Sequence, residues 1–203
     1  MNKVLYVFVA FFMLQVGAFA QTNFEELTLA KALEKAKAEN KLVFIDTYTS
    51  WCMPCKYMAN TIFPKSEMGE YLNPRFVCVK FNTEEGEGAE IMKRYEISAF
   101  PTFLILNTKG EVQHRIVGSE TAEDFIKRVA EGLDEDKAIG ILAAKYEKGD
   151  RDVKLLVKYT RALLAVDDPL TVQVANELIS KLNDDGENRV ANKFKKLLAA
   201  QEE

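Results

Sequence analysis

Two cysteines separated by two residues give the strongest chemical signal in the sequence. Cys52 and Cys55 lie in the segment WCMPCK, after an apolar run and at the start of a predicted helix. Unpaired N–H groups and the positive end of the helix dipole favour a thiolate at Cys52, and Cys55 follows one turn later. Such a pair can attack a disulfide through Cys52 and release the mixed disulfide through Cys55. We therefore expect Cys52 to be the exposed nucleophile of low pKa and Cys55 the resolving thiol.

Two other interpretations of the cysteine pair are open. A zinc site needs four ligands, and the other cysteine and histidine in the sequence, Cys78 and His114, do not stand at the spacing of a ligand pair. A purely structural disulfide across so short a loop would gain little from closure entropy. The sequence therefore favours redox chemistry and no bound metal.

The elements that must position this pair alternate between helix and strand from residue 24 to residue 133. Apolar spacing and capping residues predict helix 28–40, strand 42–45, helix 54–61, helix 66–72, strand 76–81, helix 87–95, strands 102–106 and 112–117, and helix 121–133. The last helix is expected to turn four side chains inward: Phe125, Ile126, Val129 and Leu133. This order implies an α/β fold with a mixed sheet covered by helices on both faces.

After residue 133 the strand signals stop. Four amphipathic helices are predicted, over residues 138–148, 152–166, 169–182 and 187–200. Asp168 and Pro169 are predicted to be an N-cap and the first helical residue, and Gly149 and Gly186 fall where helices should end. We expect an all-α appendage that docks on the first domain, because two helical hairpins are few for a free-standing solenoid.

The first twenty residues have the three-part pattern of a secretory signal. Lys3 precedes an almost uniformly apolar run over residues 4–16, and Ala18 and Ala20 occupy the positions that a signal peptidase recognises. The alternative is a signal anchor, for which the apolar run is short. We expect cleavage after Ala20, no later membrane span, and a soluble protein in the periplasm or another extracytoplasmic compartment, where disulfide chemistry is possible.

Composition and charge narrow the classes of protein. The 203 residues are 48% hydrophobic and 29% charged, which excludes a collagen-like, low-complexity or wholly disordered chain. The formal net charge of −4 provides no bulk basic field for nucleic acid. We expect a signal peptide over residues 1–20, an α/β domain over 21–133 and a helical region over 134–203.

Five motifs carry a family resemblance across about residues 24–133. They read, in order, KLVFIDTYTSWCMPCK, FVCVKFN, ISAFPTF, KGEV and IVGSE. They resemble the thioredoxin superfamily, and more closely its secreted bacterial thioredoxin-like proteins. The resemblance implies the thioredoxin fold, thiol–disulfide oxidoreductase activity and a redox disulfide between Cys52 and Cys55. The usual Gly-Pro between the cysteines is Met-Pro here, a departure that bears on substrate preference and redox potential.

The resemblance also implies roles for three further residues. Asp46, six residues before Cys52, occupies the place of an acid at the end of the central strand, and Lys80 that of a strand lysine near this acid. Pro101 matches the family's cis-proline, whose loop faces the cysteine pair. The Phe100–Pro101 bond is therefore expected to be cis, with the Phe100 backbone opposite the cysteines.

Asp46 and Lys80 each have a simpler interpretation. Asp46 could merely end a strand, but the apolar run before it implies burial, and a buried acid of raised pKa could take the proton of Cys55. Lys80 could pair with Asp46, or it could extend to solvent from an edge strand. We expect both residues to belong to the catalytic machinery.

The residues around the cysteines are expected to bind substrate. Trp51, Met53 and Phe100 would form an apolar rim suited to exposed peptide segments, although Trp51 could equally serve packing. An extended peptide could pair with the backbone beside Pro101.

The remaining polar and thiol residues have structural interpretations. Cys78 alternates with two valines in a strand and is predicted to be an inert core thiol. His114 is predicted to be a solvated residue of the last hairpin. The cluster of Glu84, Glu85 and Glu87 is interpreted as an acidic loop.

The sequence thus predicts an extracytoplasmic oxidoreductase that reduces protein disulfides. Its expected partners are protein disulfide substrates and an electron-donor protein, with no cofactor and no nucleic acid. The alternative is an interaction protein on a thioredoxin-like scaffold, whose helical C-terminal region binds a partner while the cysteine pair is structural or regulatory. Disulfide reduction by the mature chain, compared with a double Cys-to-Ser variant, separates the two.

Overall fold

A computed structural model describes residues 21–166, 168–184 and 188–199, so the predicted signal peptide and Gly186 lie outside the described residues. The first part of the chain contains helices α1 (Leu29–Glu39), α2 (Met53–Tyr57), α3 (Ser66–Leu72), α4 (Gly86–Arg94) and α5 (Ala122–Glu131), with strands β1 (Leu42–Tyr48), β2 (Phe76–Asn82), β3 (Thr102–Leu106) and β4 (Val112–Val117). The second part contains helices α6 (Ile139–Glu147), α7 (Val153–Leu164), α8 (Thr171–Asp184) and α9 (Asn188–Ala199). The predicted α/β fold followed by an all-α region is confirmed.

The four strands form one mixed sheet in the order β2-β1-β3-β4. β1 is parallel to β2 and antiparallel to β3, and β4 is antiparallel to β3. Asp46 of β1 lies beside Lys80 of β2 on one side and Phe103 of β3 on the other. Because β1 and β2 are parallel, the loops that follow them meet at the same edge of the sheet.

Side chains from the two faces of the sheet enter two separate cores. On one face Phe44 packs in an aromatic cluster with Phe63, Phe103 and Phe125, in which the Phe103 and Phe125 ring centroids are 4.7 Å apart. The other face, which carries Ile45, is covered by α1 and α4. Burying each such side chain contributes about 1.5–3 kcal/mol. Helices therefore cover both faces, as the sequence predicts.

Both outer strands of the sheet also have neighbours outside it. Beside β2, the N–H of Glu25 donates to the carbonyl of Cys78 at 2.9 Å. Beside β4, Arg128 donates to the carbonyl of Val117 at 3.1 Å. α6 lies against the other end of β4.

The predicted limits of α1 agree with its capping residues, whereas β1 is longer than predicted. The hydroxyl of Thr28 accepts from the N–H of Lys31 at 3.3 Å, and Asn40 adopts the left-handed conformation that ends the helix. β1 continues beyond residue 45 because Asp46 and Thr47 are buried between its neighbours. The predicted strand ends at residue 45 because the apolar run stops there.

The helix that carries the cysteines differs from the single helix predicted over residues 54–61. α2 continues as a π-helical turn over Met58–Ile62. The N–H of Phe63 donates to the carbonyl of Met58 at 2.9 Å, and Pro64, which has no N–H, follows this wider turn. The turn accommodates one extra residue and directs Phe63 into the aromatic cluster.

The prediction that Leu133 faces the core is wrong. α5 ends at Glu131, and Leu133 is exposed. Gly132 packs so closely that an added Cβ would lie 2.5 Å from Cδ1 of Ile105 and 2.8 Å from Cβ of His114. The backbone itself therefore occupies the space that a side chain would need, and the next residue points away. The other three predicted core residues of α5 do pack inward.

The helical region begins where α6 crosses β4. A Cβ added at Gly140 would lie 2.0 Å from the carbonyl oxygen of Val112, so the two backbones are in close contact. The helices that follow pack around a hydrophobic core of their own. Asp168 accepts from the N–H of Leu170 at 2.9 Å in a turn, and α8 therefore begins two residues later than predicted. None of the helices in the described ranges combines the length and the apolarity that a membrane span requires.

Candidate active site

The cysteine pair forms a disulfide at the start of α2. The Cys52 and Cys55 sulfurs are bonded at 2.00 Å, and their Cα atoms are 5.3 Å apart. Cys52 is the N-cap of α2, and its sulfur accepts a hydrogen bond from the backbone N–H of Cys55 at 3.1 Å. In the reduced state this N–H and the positive end of the helix favour a thiolate on Cys52. The two cysteines that the sequence predicts to pair are thus joined by a disulfide.

The expectation that Cys52 is exposed is wrong for the oxidised protein. Only 3% of Cys52 and 4% of Cys55 is accessible. The disulfide turns the Cys52 sulfur towards Cys55, which lies on the buried side of the helix. The neighbouring side chains project outward instead, with Trp51 66% and Met53 70% exposed. These two side chains therefore form an exposed apolar surface beside the buried sulfurs.

Asp46 is a buried carboxyl group close to this disulfide. It is 5% exposed, and burial raises its pKa to about 7, although the charge of Lys80 acts in the opposite direction. Its Oδ1 has no hydrogen-bond partner among the described residues. Asp46 and Cys55 line the same cavity, of about 320 Å³. The predicted burial of Asp46 is confirmed, and the cavity that it shares with Cys55 has room for water.

Lys80 lies beside Asp46 without forming a salt bridge. The two residues are aligned on neighbouring strands, but Lys80 is exposed and, within the described ranges, it makes no ion pair with Asp46 at 4 Å or less. Lys80 also lines the cavity shared with Cys55. It therefore acts on Asp46 through its charge rather than through a direct bond.

A second cavity is also lined by Asp46. It has a volume of about 260 Å³, and its lining includes Thr22, Asp46 and Lys80. The hydroxyl of Thr22 is buried and has no partner among the described residues, as is true of Asp46 Oδ1. Two such groups at one cavity are typical of sites that hold ordered water. Asp46 thus borders two cavities that have room for water.

The Phe100–Pro101 bond is cis, as predicted. Pro101 is buried, and its carbonyl accepts from the N–H of Gly118, the residue after β4, at 2.9 Å. The ring of Phe100 contacts Trp51 edge to face, with 6.1 Å between centroids. The structure therefore brings the proline loop next to the residue that precedes Cys52.

Glu84 is a site residue that the sequence analysis missed. One carboxylate oxygen accepts from the N–H and the hydroxyl of Ser50, each at 2.7 Å, and the other accepts from Nε1 of Trp51 at 3.0 Å. The hydrogen bonds from Ser50 hold the pKa of Glu84 below its usual range. Glu84 therefore fixes the loop that leads into Cys52. The available signal was the parallel pairing of β1 and β2, which places the loops after them side by side.

The interpretation of Glu84, Glu85 and Glu87 as a simple acidic loop is therefore wrong. Glu87 also has a specific contact, because its carboxylate accepts from the N–H of Leu29 at the start of α1, at 3.1 Å. Glu85 accepts from the side chain of Asn82 at 2.9 Å. The three carboxylates therefore contact three different parts of the chain: the loop before Cys52, the start of α1 and the end of β2.

Cys78 and His114 lie away from the cysteine pair. Cys78 is a free thiol buried in the sheet, and burial raises its pKa to about 12, which confirms the prediction of an inert core thiol. His114 is buried, so the prediction of a solvated residue is wrong; the chain around Gly132 covers its ring, and burial lowers its pKa to about 4. In the described part of the chain, no three His, Cys, Asp or Glu side chains are grouped to hold a metal ion.

Comparison with known proteins agrees with the family resemblance of the sequence motifs. The profile of the thioredoxin-like domain family matches residues 29–132. Chloroplastic thioredoxin Y of Oryza sativa subsp. japonica is 36% identical over 118 residues, which cover 58% of this chain and 67% of that protein. The thiol:disulfide interchange protein DsbD of Pseudomonas fluorescens is 30% identical over 103 residues, covering 49% of this chain and 18% of DsbD.

Two solved structures share the fold. A Bacteroides thetaiotaomicron protein, assigned provisionally as a disulphide-isomerase, is 41% identical with a TM-score of 0.52, over 57% of this chain and 95% of that one. A thioredoxin from Thermus thermophilus has a TM-score of 0.50 at 24% identity, over 57% of this chain and 89% of that one. Both matches leave a large part of this chain uncovered.

A Cys-x-x-Cys disulfide at a helix start, on a mixed sheet with a cis-proline loop beside it, defines a thiol–disulfide oxidoreductase of the thioredoxin fold. This chain belongs to the thioredoxin-like domain family, whose profile spans the sheet and its helices and stops before α6. The curated relatives named above match over 67% and 18% of their own lengths, so their complete activities are not carried over.

Proposed function

We propose that this protein is an extracytoplasmic reductase of protein disulfides. The observation that carries the proposal is the coupling of three groups: Cys52 at the start of α2, Cys55 one turn later, and the buried carboxyl group of Asp46 on a cavity shared with Cys55. These are the nucleophile, the resolving thiol and the proton acceptor that two successive thiol–disulfide exchanges need.

The first exchange begins from the reduced pair. The Cys52 thiolate attacks one sulfur of the substrate disulfide, the substrate S–S bond breaks, and a mixed disulfide with Cys52 forms. The departing substrate thiolate takes a proton from water. The N–H of Cys55, which bonds the Cys52 sulfur in the oxidised state, stabilises the attacking thiolate.

The second exchange returns the disulfide seen in the structure. Asp46 takes the proton of Cys55 through water in the shared cavity, and the Cys55 thiolate attacks the Cys52 sulfur. The second substrate thiolate leaves and is protonated, and Asp46 returns its proton to solvent. Two electrons have passed from the enzyme dithiol to the substrate disulfide, and an electron-donor protein must restore the dithiol.

The apolar rim selects the substrate. Trp51, Met53 and Phe100 surround the approach to the cysteines, and the loop at Pro101 presents backbone groups beside them. An extended peptide can pair with this backbone with little sequence selection, while the rim favours apolar segments. Unfolded or flexible proteins with exposed disulfides suit this arrangement.

The proposed direction of electron transfer and the proposed location outside the cytoplasm rest on other support. The predicted signal peptide favours export, and relatives include an interchange protein and a provisional isomerase. Proline before Cys55 and the Asp46–Lys80 arrangement resemble reducing rather than oxidising family members. A cell fraction outside the cytoplasm should therefore contain the mature protein.

The test is reduction of a protein disulfide by the mature chain with a chemical reductant as donor, against Cys52→Ser/Cys55→Ser. We expect turnover with the first and only background with the second. Equal rates would contradict the enzyme assignment and favour the interaction protein. The equilibrium potential of the Cys52–Cys55 couple against glutathione then tests the direction, since a potential well above that of glutathione would indicate an oxidase.

A further inference from the structure

A cavity of about 420 Å³ lies between the thioredoxin-like domain and the helical region. Its walls come from β4, α5, the segment that leads into α6, and α7. None of the residues assigned above to the redox site lines it. The volume falls in the range of small-molecule sites, about 300–1,000 Å³.

The charged side chains of this cavity are mostly positive. Five cations line it, Arg115, Arg128, Lys137, Lys158 and Arg161, against two acids, Glu131 and Asp136. Three of the cations already have carboxylate partners: Lys158 with Asp136 at 2.7 Å, Lys137 with Glu131 at 3.6 Å, and Arg128 with Glu120 at 2.6 Å. This excess stands out in a chain whose formal net charge is −4.

The other two cations lack a carboxylate partner. Within the described ranges, neither Arg115 nor Arg161 forms an ion pair at 4 Å or less. Arg115, on β4, donates to the backbone carbonyls of Tyr95 at 2.5 Å and Glu96 at 3.4 Å. Burial lowers its pKa, while the carboxylates of Asp168 and Glu96 act on it only from farther away. A partly buried guanidinium in this position would be stabilised by an anion.

Part of the wall is uncharged. Ile139, Ala162 and Val166 present apolar surface to the cavity. The ring of His114 also lines it and is neutral at pH 7, because burial lowers its pKa to about 4. The cavity thus combines an apolar surface with two guanidinium groups that form no ion pair within the described residues.

We infer that this cavity binds an organic anion in which one acidic group is joined to an apolar body. Arg115 and Arg161 hold the acidic group, and Ile139 and Ala162 contact the apolar body. Because Arg115 lies on β4 and Arg161 on α7, the bound anion links the two parts of the chain and stabilises their docking.

The probe for this site is 1-anilinonaphthalene-8-sulfonate, an aromatic sulfonate whose fluorescence rises on binding. We expect one site per full chain. Arg161→Glu should weaken binding at least about tenfold, because it reverses an exposed charge at the site. Arg189→Glu, an exposed position on α9 outside the cavity, makes the same change in net charge and should have little effect. N-phenyl-1-naphthylamine, which has the same rings and no charge, should bind much more weakly.

Three results would overturn the inference. One is equal weakening by Arg161→Glu and Arg189→Glu, and another is equal affinity for the charged and uncharged probes. The third is loss of the site in Trp51→Ser, which would place the probe on the apolar rim. Because the sulfonate probe also binds partly unfolded chains, near-ultraviolet circular dichroism accompanies each titration. As a second variant, Ala162→Phe should fill the cavity and exclude the probe.

Discussion

At the scale of single residues, the two cysteines are chemically unequal although they share one disulfide. Cys52 is the N-cap of α2 and accepts a hydrogen bond at its sulfur, whereas Cys55 lies within the helix near Asp46. The first can hold negative charge without help, while the second needs a proton acceptor. The proposed order of attack rests on this difference.

We predict that Cys55→Ser accumulates a mixed disulfide with a protein substrate and that Cys52→Ser does not. Without the resolving thiol, the first exchange stops at the bond between Cys52 and the substrate. Non-reducing electrophoresis and mass spectrometry of the trapped species measure the outcome. Equal trapping in both variants would contradict the assigned order, and Cys78 should stay unalkylated in the native protein.

Asp46→Asn is expected to slow turnover, by about 10²–10⁴-fold in the step that Cys55 carries out, because an amide cannot accept its proton. The first attack by Cys52 should be largely unchanged. In the parent protein the rate of this second step should rise as the pH passes through about 7, the pKa of Asp46, because only the carboxylate accepts a proton. Rapid-mixing kinetics on the two steps, from pH 5 to 9, give the measurement. A pH profile unaffected by the substitution would contradict the role.

Asp46→Asn should also change the free energy of unfolding, in a direction set by the pKa of Asp46. Asp46 has a pKa of about 7 in the folded chain and 3.8 when unperturbed, so between these values the folded state holds a proton that the unfolded state has lost. Stability therefore falls as pH rises from about 4 to 7. Asp46→Asn should remove this loss of stability. The free energy of unfolding of the variant at pH 8 should be higher by up to about 4 kcal/mol, at 1.36 kcal/mol per pKa unit. Urea unfolding at pH 4 and pH 8 tests this, with exposed Glu90→Gln as the control.

At the scale of helices and strands, spacing and capping predicted each described element but not all of its limits. β1 is longer than predicted because the buried polar residues Asp46 and Thr47 lie beyond the apolar run on which the prediction was based. The turn after α2 is wider than a helical turn because Pro64 offers no N–H. Leu133 fits the helical period, yet the tight packing of Gly132 ends the helix before it. These differences come from tertiary contacts, which local patterns do not contain.

The same distinction applies to the site. The cysteines, Asp46 and Pro101 were found from local motifs, but Glu84 was not. Its contacts with Ser50 and Trp51 join residues more than 30 positions apart, and they exist only once β1 and β2 pair. The burial of His114 likewise depends on a later segment folding over β4.

Glu84→Ala should loosen the loop before Cys52. We expect acrylamide quenching of the single tryptophan, Trp51, to increase, because its Nε1 loses its acceptor. Reduction of protein disulfides should fall by about two- to tenfold through poorer positioning, with small disulfides less affected. Glu85→Ala removes a neighbouring carboxylate that contacts neither Ser50 nor Trp51 and serves as the control. Equal effects of the two substitutions would refute a positioning role for Glu84.

At the scale of the whole molecule, the thioredoxin-like domain and the helical region meet where α6 crosses β4. The sheet and its helices enclose the first two clusters of apolar residues, and the helical region encloses a third. Gly140 allows the backbones of α6 and β4 to approach closely. The docking of the helical region depends on this contact.

Gly140→Leu should separate the two parts. Its side chain would overlap the backbone of β4 at Val112, and overpacking of this kind costs about 1–3 kcal/mol. Ala144→Leu adds a larger side chain at an exposed position of the same helix and should be nearly neutral. Urea unfolding followed by circular dichroism measures both. The expected result is lower stability in the first variant, with the helical region unfolding earlier; identical curves would show that this contact does not hold the two parts together.

The contacts that the outer strands make outside the sheet bear on whether the protein aggregates. An open sheet edge is a template on which another chain can add a strand, and long open edges promote aggregation. Here the carbonyl of Cys78 on β2 and that of Val117 on β4 are bonded to Glu25 and Arg128, and α6 lies beyond β4. The proposed reductase of unfolded chains would work among molecules that can pair with such edges. Because the edges of its own sheet are bonded in this way, the protein should reduce aggregation-prone substrates without aggregating with them.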